Sequence, residues 1–100
     1  MSSPIRKPHS PRFVRLSAEA MSSLFGEPME PRFTISNGRF VARQRVAIVG
    51  PRGRLDGVPV VGPAVDQTQI TFGEGDEERL GLDDRGVILA GAAGELKVPH

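Results

Sequence analysis

The amino-acid sequence predicts a mostly β protein, a small antiparallel β-barrel with one or two short capping α-helices. Roughly five to seven short segments alternate apolar and polar side chains, which is the pattern of half-buried strands. Turn-forming Gly, Pro and Asn residues separate these segments at intervals of about 8–12 residues, as in small β-barrels. Because one hundred residues fill one small domain, we expect a single barrel.

The first residues differ in composition from the rest of the chain. Pro4, Pro8 and Pro11 lack the backbone N–H that helices and sheets require. We therefore expect residues 1–11 to form a flexible N-terminal arm and residues 12–100 to form one barrel domain.

The predicted strands are bounded by turn-forming residues. In chain order they are residues 12–16, 32–36, 39–49, 54–61, 67–72, 87–90 and 95–98. Asn37-Gly38 favours a type I′ turn between the second and third strands, because both residue types tolerate a positive φ. Pro59 cannot donate to a sheet ladder, so we expect strand 54–61 to lie at an edge or to be bulged there.

Two short helices have recognisable ends. The first spans residues 18–25, between an N-cap at Ser17 and a stop at Gly26. The second spans residues 77–80, with Asp76 as its cap. The carboxylates around this cap are expected to be a solvated helix N-terminus rather than a cation site. They are Glu74, Asp76, Glu77 and Glu78.

A short glycine pattern occurs twice. Residues 50–55 and residues 91–96 both read Gly-x-x-Gly-x-Leu. Because glycine suits tight turns, we interpret the repeat as the same turn chemistry used in two hairpins and not as a functional motif.

The charge distribution is uneven along the chain. Residues 1–54 contain ten Lys/Arg and three Asp/Glu, whereas residues 55–100 contain three and nine, giving +7 and −6. This polarity suits binding of an anionic partner or head-to-tail docking of two copies, but it is equally explained by neutralisation across the folded barrel. No apolar run approaches the roughly 20 residues that span a bilayer, so we expect no membrane association.

The sequence predicts neither a metal site nor a catalytic residue. Cysteine is absent, which excludes a thiolate ligand or nucleophile, and the only histidines are His9 and His100. A catalytic zinc ion usually takes three protein ligands, which two terminal histidines do not provide. Nucleic-acid binding is not expected, because the five aromatic residues are all Phe and most occupy core-like positions.

Polar residues on and beside the long third strand are the candidate anion-binding residues. Arg39, Arg43 and Arg45 fall on the face opposite the apolar residues of that strand. The alternative interpretation of this row is a solvated outer face. The complete candidate set is Arg39, Arg43, Arg45, Arg52, Gln67 and Gln69.

Several short motifs carry a resemblance to one family. Residues 49–53 (VGPRG) resemble its V-G-P-[KR]-G turn, and residues 58–69 (VPVVGPAVDQTQ) resemble its V-x-V-x-G-P-x-x-x-Q-T-Q stretch. Residues 24–26 (LFG) resemble the end of its first helix, and residues 80–81 (LG) resemble the L-G that follows its next short helix. In this order and spacing the chain resembles the N-terminal half of the PduL-type phosphate propanoyltransferases.

The resemblance implies a fold and an activity. Members of this family have two similar β-barrel domains capped by short helices, with a zinc-containing active site between them. They move an acyl group between coenzyme A and phosphate. We expect this chain to lack the second domain, and the resemblance makes phosphate and coenzyme A the anions to consider.

The chain departs from the family at four positions linked to the active site. The first strand of the family reads approximately S-x-R-H-V-H-L, and its two histidines are zinc ligands. Phe13 and Arg15 occupy those positions here. Phenylalanine has no lone pair for a metal, and guanidinium is a permanent cation. Val65 and Thr71 replace an Arg and a Glu of the family.

These departures favour a non-catalytic single-domain relative that acts as a binding or assembly module and is dimeric. The alternative is a phosphate propanoyltransferase whose site is completed by a second copy or a partner chain, with zinc and coenzyme A as cofactors. A third possibility is a module that binds an anion or nucleotide through its arginines without chemistry.

The expected partners follow from the first interpretation. They are a second copy of the chain, a PduL-like protein or a microcompartment protein, with phosphate or coenzyme A as the ligand. No apolar signal segment is apparent near the N-terminus, so the expected location is the cytoplasm or a bacterial microcompartment within it.

Overall fold

The computed structural model describes residues 12–82 and 86–99 and contains seven strands and two short helices. In chain order the elements are β1 (Phe13–Arg15), α1 (Ala18–Phe25), β2 (Pro31–Thr34), β3 (Phe40–Val49), β4 (Arg54–Gly62), β5 (Gln69–Thr71), α2 (Asp76–Leu80), β6 (Val87–Ala90) and β7 (Glu95–Val98). The predicted fold class is confirmed, since the strands form one curled, half-barrel sheet. The predicted arm, residues 1–11, lies outside the described residues.

The sheet order is β5-β1-β4-β3-β6-β7, with β2 paired to β3 outside this path. All strand pairs are antiparallel except β1 with β4, which are parallel. Strand β3 is the longest and pairs with β2, β4 and β6. It therefore connects the two halves of the sheet.

Strand β4 contains a bulge at Gly57. Val46 pairs with Val58 and Ile48 pairs with Leu55, so β4 contains one more residue than β3 between these pairs. Gly57 lies in the extra segment with a φ of 67°. The bulge thus precedes Pro59, which itself pairs with Arg45, and the alternative of an edge position is wrong, because β4 lies between β1 and β3.

The core lies inside the curl of the sheet and is closed by both helices. Its fully buried side chains are aliphatic and come from strands and helices along the whole described chain. They include Val14, Leu16, Leu24, Ile48, Val60, Leu80 and Leu89. Burial of such side chains contributes about 1.5–3 kcal/mol each, so this cluster is the main source of stability.

The repeated Gly-x-x-Gly turns each receive the end of a helix. In the first turn Gly50 donates to the Gly53 carbonyl at 2.9 Å, and the Arg52 amide donates to the carbonyl of Leu80 at the end of α2. A Cβ on Gly50 would approach that carbonyl oxygen to 2.5 Å, so only glycine permits the contact.

The second turn repeats this arrangement at the other helix. Gly91 donates to the Gly94 carbonyl at 2.8 Å, and the Ala93 amide donates to the Leu24 carbonyl of α1 at 2.7 Å. A Cβ on Gly91 would also lie 2.5 Å from the Leu24 oxygen. The shared motif is thus a docking site for a helix C-terminus, in agreement with its interpretation as turn chemistry.

Local end signals set the bounds of α1. The Ser17 hydroxyl accepts from the Ala20 amide at 3.1 Å, and Gly26 ends the helix with a φ of 68°. Both agree with the predicted helix 18–25. Among the described residues, no helix is long and apolar enough to cross a membrane.

The hairpin of β2 and β3 extends away from the core. Asn37 and Gly38 have φ values of 54° and 77°, and the Arg39 amide donates to the Ser36 carbonyl, as the predicted type I′ turn requires. Every residue from 31 to 39 is exposed. Among them are two large apolar side chains, Phe33 (56% exposed) and Ile35 (52% exposed), beside the edge of β2 that pairs with no other described strand.

Candidate functional site on the outer face of strand β1

Strand β1 and the residue that follows it place two side chains in the core and two on the outer face of the sheet. Val14 and Leu16 are fully buried among the core residues. Because alternate side chains of a strand point to opposite faces, Phe13 and Arg15 lie outside, and both are half-buried. The neighbouring strands β4 and β5 flank β1 on either side.

The four positions that the sequence analysis singled out lie close to β1. Thr71 pairs directly with Phe13 across the antiparallel β1–β5 ladder. The Val65 amide donates to the carbonyl of Leu16 at 3.1 Å, which fixes the loop after β4 against the end of β1. The fold therefore gathers Phe13, Arg15, Val65 and Thr71 around one short strand.

An apolar groove lies beside Phe13. Its volume is about 320 Å³, and it is lined by Pro59 and Val61 of β4, Val41 of β3 and Ile35 of the β2–β3 hairpin. Val61 is only 6% exposed although it lies outside the core cluster. Arg39 is at the margin of the groove.

Arg15 has an incomplete set of hydrogen-bond partners. One terminal nitrogen donates to the Pro63 carbonyl at 3.5 Å, which is long for a hydrogen bond. Its Nε is buried and has no partner, and no other buried side-chain nitrogen or oxygen in residues 12–82 and 86–99 shares this state. Gln69 lies directly opposite Arg15 on β5. The outer face thus carries an unsatisfied cation beside a carboxamide.

The donor set on this face does not fit zinc. Phe13 offers no lone pair, and the Arg15 guanidinium is a cation with donors only. The described part of the chain contains no group of three His, Cys, Asp or Glu side chains that could hold a metal ion. His9 and His100 lie outside the described residues.

Two members of the predicted arginine row make contacts within the fold. Arg43 bonds to Glu30 and lies 3.6 Å from Glu27, so its charge is already neutralised at the surface. Arg45 donates to the Gly57 carbonyl at 3.0 Å. Arg43 thereby holds the loop before β2, and Arg45 holds the bulge of β4.

The remaining predicted residues are dispersed. Arg52 lies in the first Gly-x-x-Gly turn, where its side chain packs against Gly81. Gln67 is exposed in the loop before β5. Of the six predicted residues, Arg39 lies at the Phe13 groove and Gln69 lies opposite Arg15, and the other four are elsewhere.

A second groove is supported by a buried glutamine that the charge pattern did not indicate. Gln44 accepts from the Glu30 amide and donates to the Pro28 carbonyl, both at 2.9 Å, and it is 5% exposed. The loop that it holds forms one wall of an apolar groove of about 470 Å³ with Met21 and Phe40. Its place between two exposed arginines concealed this role in the sequence.

The prediction of a solvated acidic cluster is wrong for Asp76. This residue is fully buried and is the first residue of α2, whose N-cap is Gly75. Arg12 donates to both carboxylate oxygens, at 2.8 and 2.9 Å, and the Gly73 amide donates at 2.7 Å. Glu74, Glu77 and Glu78 are exposed, as expected. Asp76 therefore fastens α2 to the start of β1.

These bonds also set the ionisation of the buried carboxyl group. Hydrogen bonds from Arg12, opposed by burial and assisted by the Gly73 amide, hold the pKa of Asp76 below its ordinary value of 3.8. The carboxylate consequently stays ionised in the folded protein at pH values where the unfolded chain is already protonated.

Comparison with known proteins identifies the family of this chain. A family model described as phosphate propanoyltransferase matches residues 8–96, so the chain belongs to the phosphate propanoyltransferase family. This confirms the PduL-type relationship inferred from the sequence motifs.

Individual relatives bear the same name. A phosphate propanoyltransferase of Thermotoga maritima is 38% identical over 76 residues, covering 73% of this chain and 36% of the relative. One of Shewanella putrefaciens is 39% identical over 75 residues with the same coverage, and one of Alkaliphilus metalliredigens is 32% identical over 97 residues, covering 81% and 45%. The chain therefore spans less than half the length of these relatives.

The Arg12–Asp76 pair predicts an acid-dependent loss of stability. Because the folded pKa is depressed, the contribution of the pair is complete above pH 3.8 and is lost as the pH falls through the folded pKa. Replacement Asp76→Asn should lower the free energy of unfolding by about 1–3 kcal/mol at pH 7, and the difference from wild type should shrink at pH 2–3. Urea unfolding across this pH range measures both effects.

The exposed Arg54–Asp56 pair provides the matched control. Its atoms are 2.7 Å apart, but the Asp56 side chain is 71% exposed, so Asp56→Asn should change stability by less than about 1 kcal/mol. Equal losses in the two variants, or a difference for Asp76→Asn that does not shrink in acid, would contradict the role assigned to Asp76.

Proposed function

We propose that this chain is a non-catalytic member of the phosphate propanoyltransferase family and acts as a dimeric binding or assembly module. The observation that carries the proposal is the outer face of β1, which bears Phe13 and Arg15, the two residues that the sequence resemblance aligns with zinc ligands. Neither side chain can donate electrons to a metal ion. A strand that keeps its core residues and changes its outer residues retains the fold without the chemistry.

The neighbouring replacements support the same conclusion. Val65 and Thr71 are adjacent to β1 and offer no charge with which to bind a phosphate or move a proton. General acid–base catalysis requires a titratable group within hydrogen-bond reach of the reacting atoms. Among the residues that line the Phe13 groove, the ionisable side chains are Arg12 and Arg39.

The hairpin of β2 and β3 is the proposed contact surface between two copies. Phe33 and Ile35 expose apolar area beside an unpaired strand edge. Such an edge readily pairs with another chain, and burying apolar side chains there would stabilise the pairing. A PduL-like or microcompartment protein is the other partner to which this surface is suited. The cytoplasm or a microcompartment within it remains the proposed location.

Catalysis by an assembled site is the second candidate function. It is favoured by the names of the curated relatives, which are phosphate propanoyltransferases at 32–39% identity. Under this alternative, a second copy or a partner chain supplies the zinc ligands, and phosphate and coenzyme A are substrates. Bound metal separates the two candidates.

The non-catalytic proposal predicts that the purified protein holds no stoichiometric zinc. Replacement of Phe13→His together with Arg15→His puts two imidazoles on one strand face, so zinc affinity should increase by about tenfold or more. Competition with a chromophoric zinc chelator measures both proteins.

Histidines outside the described residues require a control in this experiment. Replacement of His9→Ala with His100→Ala removes weak chelation by those two side chains and should leave the gain at positions 13 and 15 unchanged. One tightly bound zinc per wild-type chain, retained in this control, would contradict the proposal and favour the assembled enzyme.

The dimer proposal predicts that the wild-type protein sediments with the mass of two chains. Replacement of Phe33→Glu together with Ile35→Glu should yield monomers, because charged side chains resist burial in an apolar interface. Analytical ultracentrifugation measures the mass, and circular dichroism verifies that the variant is folded.

Ile88→Glu is the matched control for this surface. Ile88 is 37% exposed on β6, distant in sequence from the hairpin, so this variant should remain a dimer. A wild-type monomer at about 100 µM, near the weak end of specific association, would refute the dimer. Equal dissociation by Ile88→Glu would show that the hairpin is not the contact surface.

A further inference from the structure

We propose that Arg15 and Gln69 form a metal-independent binding site for an oxyanion on the outer face of β1. The proposal rests on the proposed function, since it names the chemical class that the binding module would recognise. It assigns a role to Arg15, which the sequence indicated only as a lost metal position.

Arg15 differs from the other arginines in the described part of the chain by being half-buried without a carboxylate partner. Arg12 is the other half-buried arginine, and it pairs with Asp76, whereas the remaining arginines are exposed to water. The half-buried Arg15 bears part of the desolvation cost with no carboxylate to offset it. A partly buried cation without an anion within the fold is best satisfied by an anion from outside.

The guanidinium nitrogens of Arg15 make few hydrogen bonds within the fold. The Nε of Arg15 is buried and unbonded, and the bond from a terminal nitrogen to the Pro63 carbonyl is 3.5 Å long. Native proteins satisfy almost all buried polar atoms, and an unmade hydrogen bond to a charged group costs more than a neutral one. The contacts within the fold therefore do not hold the guanidinium tightly, and its terminal nitrogens keep donors for a ligand.

Gln69 is the neighbour of Arg15 across the β1–β5 ladder. Arg15 and Gln69 are a directly opposed antiparallel pair, so their side chains project from the same face with Cβ atoms about 4.5–5.5 Å apart. The carboxamide of Gln69 adds N–H donors to those of the guanidinium. Two adjacent donor groups without a carboxylate between them suit the oxygens of a phosphate or a carboxylate.

The adjoining groove suggests what accompanies the oxyanion. Phe13 lies two residues before Arg15 on the same strand face and borders the apolar groove with Pro59 and Val61. A short alkyl chain attached to the oxyanion would lie against this surface.

The test is a titration of 15N-labelled protein with small probes, followed by amide chemical shifts at constant ionic strength. The probes are sodium phosphate, sodium butyrate and the neutral analogue butyramide. We expect saturable shifts at residues 13–15 and 69 with one or both anions, none with butyramide, and no change on adding EDTA. A response to butyrate alone would show that the groove contributes by binding the alkyl chain. A response to phosphate alone would show that the site binds an oxyanion that carries no alkyl chain.

Variants locate the site. Arg15→Gln should weaken binding by about tenfold or more, because it removes a charged donor, and Gln69→Ala should weaken it by a smaller factor, roughly threefold. Arg45→Gln removes the same charge from the outer face of β3 and should bind as wild type. Gln69 is exposed, so its variant should fold even if Arg15→Gln does not, and the spectra themselves report folding.

Three outcomes would overturn the proposal. They are equal loss in Arg45→Gln, equal binding of butyramide, and the absence of saturable shifts with both anions. A dimer without zinc that binds neither anion would refute this inference and leave the proposed function standing. Anion binding that is abolished by EDTA would contradict both.

Discussion

The alternation of side chains along β1 is the constraint on which the site depends. Val14 and Leu16 belong to the core, where they are completely excluded from water. The same period of two forces Phe13 and Arg15 outward. A shift of the strand by one residue would exchange the two sets and bury a guanidinium in the core. The outer face is therefore fixed by the inner one.

This separation explains how a chain can keep the architecture of a family while its outer face changes. The determinants of the fold are the core residues, the two Gly-x-x-Gly turns that receive the helix ends, and the Arg12–Asp76 pair that holds α2 to β1. None of them involves the side chains of Phe13 or Arg15. Substitution on the outer face of a strand leaves these contacts unaltered, so metal-binding residues can be lost at little cost in stability.

Much of the fold was predictable because its signals are local. Helix 18–25 has a cap, an apolar stripe and a terminal glycine within ten residues, and strands 87–90 and 95–98 flank a glycine-rich turn. Strand β5 is shorter than the predicted 67–72, because only its central residues pair with β1.

The site was less predictable, because its contacts join distant residues. Asp76 looked like a solvated helix cap, and its partner Arg12 lies 64 residues away. The pairing of Arg15 with Gln69 likewise depends on the register between two strands, which no local pattern specifies. Arg39, Arg43 and Arg45 occupy alternate-face positions on and beside β3 and suggested a shared surface, but Arg43 and Arg45 contact neighbouring segments.

The most direct test of the account is the transfer of an acyl group from an acyl phosphate to coenzyme A by the purified chain, with and without added zinc. The account predicts no turnover above the uncatalysed rate in either condition, because the outer face of β1 lacks metal ligands and a titratable group. Turnover that depends on zinc would contradict it. Such a result would mean that residues other than Phe13 and Arg15 have rebuilt the active site of the family.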